Sequence, residues 1–144
     1  MACHWAAAQE ERILANGEAL TAAQLADARL IPILQPERVR LLYLPEIPIP
    51  EHPALHAAAQ ATRFITALTR GLTLRYGIFI RSDCRGERAL VVHELAHTAQ
   101  YERLGGFEPF LRRYLSEYLT VGYPEAPMEQ EVIAVTARIC ESQA

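Results

Sequence analysis

Lysine is absent from this sequence: all 14 basic residues are arginine, and 17 acidic residues leave a net charge of −3. Proteins that bind nucleic acid through bulk electrostatics carry a strongly basic surface, so this balance argues against that class. The longest stretches without charge are too short or too polar for the roughly 20 consecutive apolar residues of a membrane span. The N-terminal residues lack a basic segment followed by an apolar one, and we expect no secretory signal.

Cysteine is scarce and irregularly spaced. The three cysteines, Cys3, Cys84 and Cys140, are odd in number and far apart, and no Cys-x-x-Cys pair is present. This spacing predicts no disulfide framework. We therefore expect free thiols and a cytoplasmic protein.

The remaining composition is that of an ordinary globular protein. Of 144 residues, 51% are hydrophobic and 22% are charged, which argues against a largely disordered chain. A chain of this length buries a core of its own and needs neither disulfides nor a metal merely to fold. The length predicts a single domain, residues 1–144, because domains usually have about 100–200 residues.

The apolar pattern predicts an α+β fold with a small sheet. Residues 39–44 are apolar and include a β-branched residue, which is typical of a strand, and residues 72–81 predict one strand or two short ones. Residues 87–104 predict the most apolar helix of the chain, on which the sheet packs. About four further helices complete the fold, among them residues 53–69, 107–121 and 127–141.

The clearest chemical signal is His93-Glu94-Leu95-Ala96-His97, an HExxH sequence. Residues four apart lie on one face of a helix, so both histidines can bind one zinc ion. Glu94 lies about 100° further round the helix axis. It is too far round to be a good ligand but is placed to hold a metal-bound water. This arrangement puts a general base beside a Lewis acid.

The surroundings of this sequence strengthen the prediction. Residues 89–99 contain no charge except Glu94 and are apolar on nearly all sides, so the helix is predicted to be buried. Two histidines and a glutamate on a buried helix need polar partners. A metal ion supplies such partners; a core helix with hydrogen-bonded histidines is the alternative.

A catalytic zinc usually keeps three protein ligands and a water. The metzincin pattern is excluded because Gln100 and Arg103 occupy the positions where it requires a glycine and a third histidine. A glutamate from a later part of the chain remains. The candidates are Glu102, Glu108, Glu117, Glu125, Glu129 and Glu131.

Helical periodicity selects among these glutamates. On the last helix, Met128 and Val132 belong to the inward face, and Glu129 lies at the edge of that face. Glu129 is therefore the predicted third ligand, although a glutamate in a first helical turn is also favoured by the helix dipole alone. Glu131, on the outer side, and Glu117, at the flank of its own helix, remain alternatives. Cys84, nine residues before the first motif histidine, is a weaker candidate.

Together these residues resemble the gluzincin branch of the zincin metallopeptidases, over about residues 73–140. The resemblance is closest to the small single-domain bacterial minigluzincins. It implies a zincin-like fold, Zn²⁺ bound by His93, His97 and Glu129, and hydrolysis of peptide bonds by a zinc-activated water with Glu94 as general base. In the family signature Glu-x-x-Ala-Asp the glutamate maps to Glu129, and Ile133 stands at the position of the aspartate.

The resemblance also implies an oxyanion stabiliser and a strand that pairs with an extended peptide or protein substrate. Tyr101, one turn past the second histidine and on its face, is the predicted catalytic tyrosine; Tyr114, Tyr118 and Tyr123 are alternatives. Residues 76–80 lead towards the active helix and are the predicted substrate-binding strand. The alternative function is a catalytically inactive or latent zincin-fold module that binds metal or another protein.

Overall fold

The computed structural model describes residues 2–62, 65, 66 and 68–141. The helices are α1 (Ala2–Asn16), α2 (Ala22–Leu30), α3 (Pro53–Thr62), α4 (Arg88–Leu104), α5 (Phe107–Thr120) and α6 (Pro127–Glu141). The strands are β1 (Glu18–Ala19), β2 (Arg40–Leu44), β3 (Gly71–Leu74) and β4 (Gly77–Arg81). The predicted α+β class is confirmed, with six α-helices in the described ranges where about five were predicted.

The four strands form one sheet in the order β1-β2-β4-β3. β2 and β4 are parallel, whereas β1 pairs with β2 and β3 pairs with β4 in antiparallel fashion. The segment 72–81 is thus two strands, joined by a tight turn at Arg75, which has a left-handed φ of 62°. β4 is central and β3 lies at an edge of the sheet.

The sheet is covered on both faces, and β4 shows why its sequence is continuously apolar. Ile78 and Ile80 belong to a buried cluster with residues of α2, α4 and α6. Phe79, which points to the opposite face, belongs to a second cluster with residues of α1 and α5. A strand buried on both faces has no polar alternation, as observed here.

Helix α4 crosses this core and is buried along most of its length, as predicted. It ends at Gly105, which has a φ of 100° and donates its N–H to the carbonyl of Tyr101, a helix stop that favours glycine. The Thr98 hydroxyl donates to the carbonyl of Arg75 at 2.7 Å and so attaches α4 to the β3–β4 turn. No helix within the described ranges is both long enough and apolar enough to cross a membrane.

Candidate metal centre

Two helices bring the predicted ligands together. His93 and His97 lie on successive turns of α4, and Glu129 lies in the first turn of α6, which packs along α4. The Nε2 atom of His93 is 3.2 Å from Oε2 of Glu129, and Nε2 of His97 is 3.1 Å from Oε1. One ligand atom from each residue lies within 4.8 Å of the others, and the described part of the chain contains no second group of this kind.

The two glutamates that remained alternatives for the third ligand have other partners. Glu117 accepts the backbone N–H of Met128 at 2.8 Å and caps the beginning of α6. Glu131 forms an ion pair with Arg103 at 2.6 Å on the outer side of α6, as its periodicity predicted. Neither glutamate belongs to the cluster with the histidines. Cys84 is buried beside Arg70 and is not in that cluster either.

The carboxylate of Glu129 is almost completely buried, with 2% of the residue exposed. Its Oε1 atom accepts a hydrogen bond from the hydroxyl of Tyr114 at 2.5 Å. Its Oε2 atom has no hydrogen-bond partner of acceptable geometry, although His93 lies 3.2 Å away. A buried carboxylate oxygen without a donor is costly, and a cation beside it removes that cost.

The electrostatics of the cluster favour positive charge. Burial works to raise the pKa of Glu129, but the neighbouring His93 and His97 rings and the hydrogen bond from Tyr114 outweigh it and hold that pKa well below its usual range. Burial works to lower the pKa of His97, but the hydrogen bond to Glu129 and the negative charges of Glu94 and Glu129 outweigh it and raise that pKa above 6.5. Two imidazole nitrogens and one carboxylate, in surroundings that attract a cation, are a donor set that fits zinc.

Glu94 is held beside the cluster by the edge strand β3. Its Oε1 atom lies 2.7 Å from the hydroxyl of Thr73, and that hydroxyl also lies 2.8 Å from the backbone carbonyl of Glu94. A hydroxyl has one proton to donate, so the two oxygens share it. At Gly71, a Cβ atom would come within 3.0 to 3.1 Å of the Glu94 side chain. β3 is therefore packed closely against the Glu94 side chain at Gly71.

The cluster and Glu94 line a cleft of about 630 Å³. One wall is β3. Other lining groups are aromatic side chains of α5 and of the loop that follows it: Phe110, Tyr114, Tyr118 and Tyr123. A cleft that combines aromatic side chains with convergent polar groups is typical of a ligand-binding site.

The structure does not bring Tyr101 to this cleft. Tyr101 is 1% exposed, and its hydroxyl donates to the carbonyl of Thr73 at 3.2 Å. Its ring stacks on Phe110 with 3.6 Å between the ring centres. Tyr101 does not line the cleft, so its position does not support the predicted catalytic role, whereas Tyr114 does line it.

The predicted substrate-binding strand is wrong. Residues 76–80 overlap β4, whose backbone is paired with β2 on one side and β3 on the other, so it cannot pair with a third strand. β3 is the strand that lies at the edge of the sheet and lines the cleft. Sequence reasoning also missed Thr73 and Gln100, although Gln100 follows His97 by three residues and therefore lies on its side of α4.

Comparison with known proteins finds no match: no model of a known family, no curated protein and no solved structure is similar to this chain. The resemblance to gluzincins therefore rests on the motif residues and their spacing. The functional argument rests on the geometry of the cleft.

Proposed function

We propose that this protein is a zinc-dependent metallopeptidase of the gluzincin type with a zincin-like fold. The observation that carries the proposal is the meeting of His93, His97 and Glu129 in the cleft that also holds Glu94. The two histidines and Glu129 would hold the metal. Zinc bound there would supply a Lewis acid, which polarises a carbonyl and lowers the pKa of water.

Glu94 is the general base in this proposal. Its carboxylate is buried, faces the cleft and is held by the Thr73 hydroxyl, so it keeps one orientation. In that orientation it would accept a proton from the attacking water and deliver it to the leaving amine. Burial of the carboxylate strengthens its interaction with a developing positive charge.

The substrate is proposed to be an extended peptide along β3. An edge strand offers peptide groups to a further strand, and β3 forms one wall of the cleft. The aromatic rings of Tyr118 and Tyr123 in the cleft lining would contact an apolar side chain of that peptide. Main-chain pairing fixes the peptide's direction, and the aromatic rings select its side chain.

Tyr114 is the proposed oxyanion stabiliser in place of Tyr101. Its single hydroxyl proton is donated to Glu129 in this structure, and that proton would be free for a substrate oxygen when Glu129 binds a metal. Burial and the neighbouring charge of Glu129 raise its pKa far above the usual value, so it stays a proton donor at every working pH. A neutral donor next to the metal ligands is what a developing negative charge on the substrate requires.

One observation favours the second candidate, an inactive or latent zincin-fold module. Ile133 stands where the gluzincin signature has an aspartate, and it is 36% exposed on α6. An isoleucine cannot accept a hydrogen bond from a ligand histidine, and loss of such a partner weakens metal sites.

Metal content and cleavage of an unstructured protein distinguish the two candidates. We expect the purified chain to bind one zinc and to cleave, and Glu94→Gln to bind zinc equally while losing about 10²- to 10⁴-fold in rate. Glu108→Gln, on the exposed side of α5, is the matched control and should behave as the original chain. Zinc without cleavage would support the second candidate, and failure to bind any metal would contradict both the proposed metal site and the proposed mechanism.

A further inference from the structure

We propose that Gln100 is a positioning residue, which fixes the tautomer of the His97 ring with support from Glu131. The inference rests on the proposed metal site and concerns a residue that the HExxH sequence does not include. Gln100 is 1% exposed and lies one turn beyond His97 on α4. Its side chain joins α4 to α6 directly behind the ligand cluster.

Hydrogen bonds determine the orientation of the Gln100 amide. Its Nε2 atom donates to the carbonyl of Met128 at 3.0 Å and to Oε1 of Glu131 at 3.2 Å. Both partners are acceptors only, so the nitrogen must face them. The amide oxygen then faces His97, and it lies 2.9 Å from Nδ1 of that ring.

An amide oxygen can only accept, so Nδ1 of His97 carries a proton. In the neutral ring the lone pair then belongs to Nε2, the atom that lies 3.1 Å from Glu129. This is the tautomer that binds a metal through Nε2. Without Gln100, the single proton would move to Nε2, where the Glu129 carboxylate accepts it, and the ligand atom would be blocked.

Glu131 extends the chain of hydrogen bonds. Its Oε1 atom accepts from Gln100 and from Arg103, which lies 2.6 Å away near the protein surface. A carboxylate that accepts from an amide N–H polarises that amide and strengthens its oxygen as an acceptor. Glu131 thus acts on His97 through Gln100 and needs no contact with the metal.

The tautomer is measured first, in metal-free protein with ¹⁵N-labelled histidine at alkaline pH, where each ring carries one proton. Long-range ¹H–¹⁵N correlations distinguish Nδ1–H from Nε2–H, and His97→Ala identifies the His97 signals. We expect Nδ1–H in the original chain and Nε2–H in Gln100→Met. A residue that only fills space in the core would leave the tautomer unchanged.

Zinc affinity is measured next, by competition with a chromophoric chelator. We expect Gln100→Met to weaken binding about 10- to 100-fold, the usual cost of losing a partner of a ligand histidine. Gln130→Met, the same change on the exposed side of α6, is the matched control and should leave the affinity unchanged. The exchanged pair Gln100→Glu with Glu131→Gln keeps an acceptor beside Nδ1 and a donor beside that acceptor, although it loses the donor to the Met128 carbonyl, so it should keep the Nδ1–H tautomer.

The proposal is overturned if Gln100→Met keeps the Nδ1–H tautomer, or if its zinc affinity equals that of Gln130→Met. If Gln100→Met does not fold, the exchanged pair decides: a folded protein with the Nε2–H tautomer also overturns it. An original chain that binds no zinc would contradict the proposed function. The tautomer measurement would still decide the role of Gln100, because it uses metal-free protein.

Discussion

Two glutamates of this protein are almost equally buried and have very different partners. Glu10 on α1 is 3% exposed, and Glu129 on α6 is 2% exposed. Glu10 accepts two hydrogen bonds from the Arg75 guanidinium, at 2.7 and 2.9 Å, and a third from the backbone of Tyr76. Glu129 faces two imidazoles and a phenol, and one of its oxygens has no hydrogen bond.

The difference separates a structural carboxylate from a functional one. Arg75 carries a permanent charge, so Glu10 is neutralised by the chain itself and attaches α1 to the β3–β4 turn. The partners of Glu129 are cationic only when protonated. The negative charge of Glu129 is therefore compensated only when a histidine is protonated or a metal is bound, as expected of a binding site.

The largest effect is expected when the metal-facing carboxylate is changed. Glu129→Gln removes one of three zinc ligands, and zinc affinity should fall on the order of a thousandfold, about 4 kcal/mol. The metal-free variant should be only slightly less stable at pH 8 than the original chain, because the carboxamide can still accept from Tyr114 and donate to a neutral histidine. Calorimetric zinc titration and thermal unfolding check both statements. A metal-free variant that is strongly destabilised at pH 8 would contradict the comparison.

The reciprocal change is Glu10→Gln. This change removes the negative charge that pairs with Arg75, and the free energy of unfolding should fall by about 3 kcal/mol. This is the lower end of the range for a broken buried ion pair, because the Arg75 side chain is 37% exposed. Zinc affinity should not change. Denaturant unfolding and the chelator competition measure these quantities, and a parallel loss of zinc binding would show that the two carboxylates are not independent.

Tyr114 and Tyr101 provide a second test of the difference between a functional and a structural residue. Tyr114→Phe removes the phenol beside Glu129, and with zinc saturating we expect kcat to fall about 100-fold, about 2.7 kcal/mol. Tyr101→Phe removes a buried hydrogen bond to Thr73 and should lower stability by about 1 kcal/mol while leaving kcat unchanged. Kinetics and unfolding of both variants provide the test; the opposite assignment of kcat effects would return the catalytic role to Tyr101.

The smallest effect is a dependence of metal-free stability on pH. The pKa of His97 is raised in the folded protein, so its contribution to stability is complete below the unfolded value of about 6.5 and is lost as pH rises through the folded value. Melting temperature should therefore decrease over that range in metal-free protein. The decrease should persist in Glu10→Gln and disappear in Glu129→Gln. Zinc binding should tighten over the same range, because it requires the neutral ring.

Local patterns were sufficient to predict α4, α6 and the residues that meet between them. His93 and His97 are four residues apart, and Glu129 lies at the edge of an apolar stripe, so helical periodicity alone indicates their faces. The bounds of α4 and α6 agree with the predicted ranges to within one residue. The predicted helix over 53–69 ends at Thr62 in the described residues, and positions 63, 64 and 67 of that range lie outside them.

Features that depend on contacts between residues far apart in the sequence could not be predicted. Whether β3 or β4 lies at the edge follows from the parallel pairing of β4 with β2, which comes more than 30 residues earlier in the chain. Glu10 and Arg75 are 65 residues apart, and no periodicity relates them. The choice between Tyr101 and Tyr114 depends on how α5 crosses α4, which places one ring in the core and the other at the cleft.

The close passage of β3 over Glu94 has a consequence for how such a protein can evolve. Gly71 has no side chain, and the first atom of one would lie only 3.0 to 3.1 Å from the Glu94 side chain. Glycine and alanine codons differ by a single nucleotide. One such exchange would require the proposed base to shift by a few tenths of an ångström while leaving the three proposed ligands in place. Under the proposed function, a single exchange at this position would lower activity without removing a metal ligand, so a less active zinc-binding variant lies one substitution away.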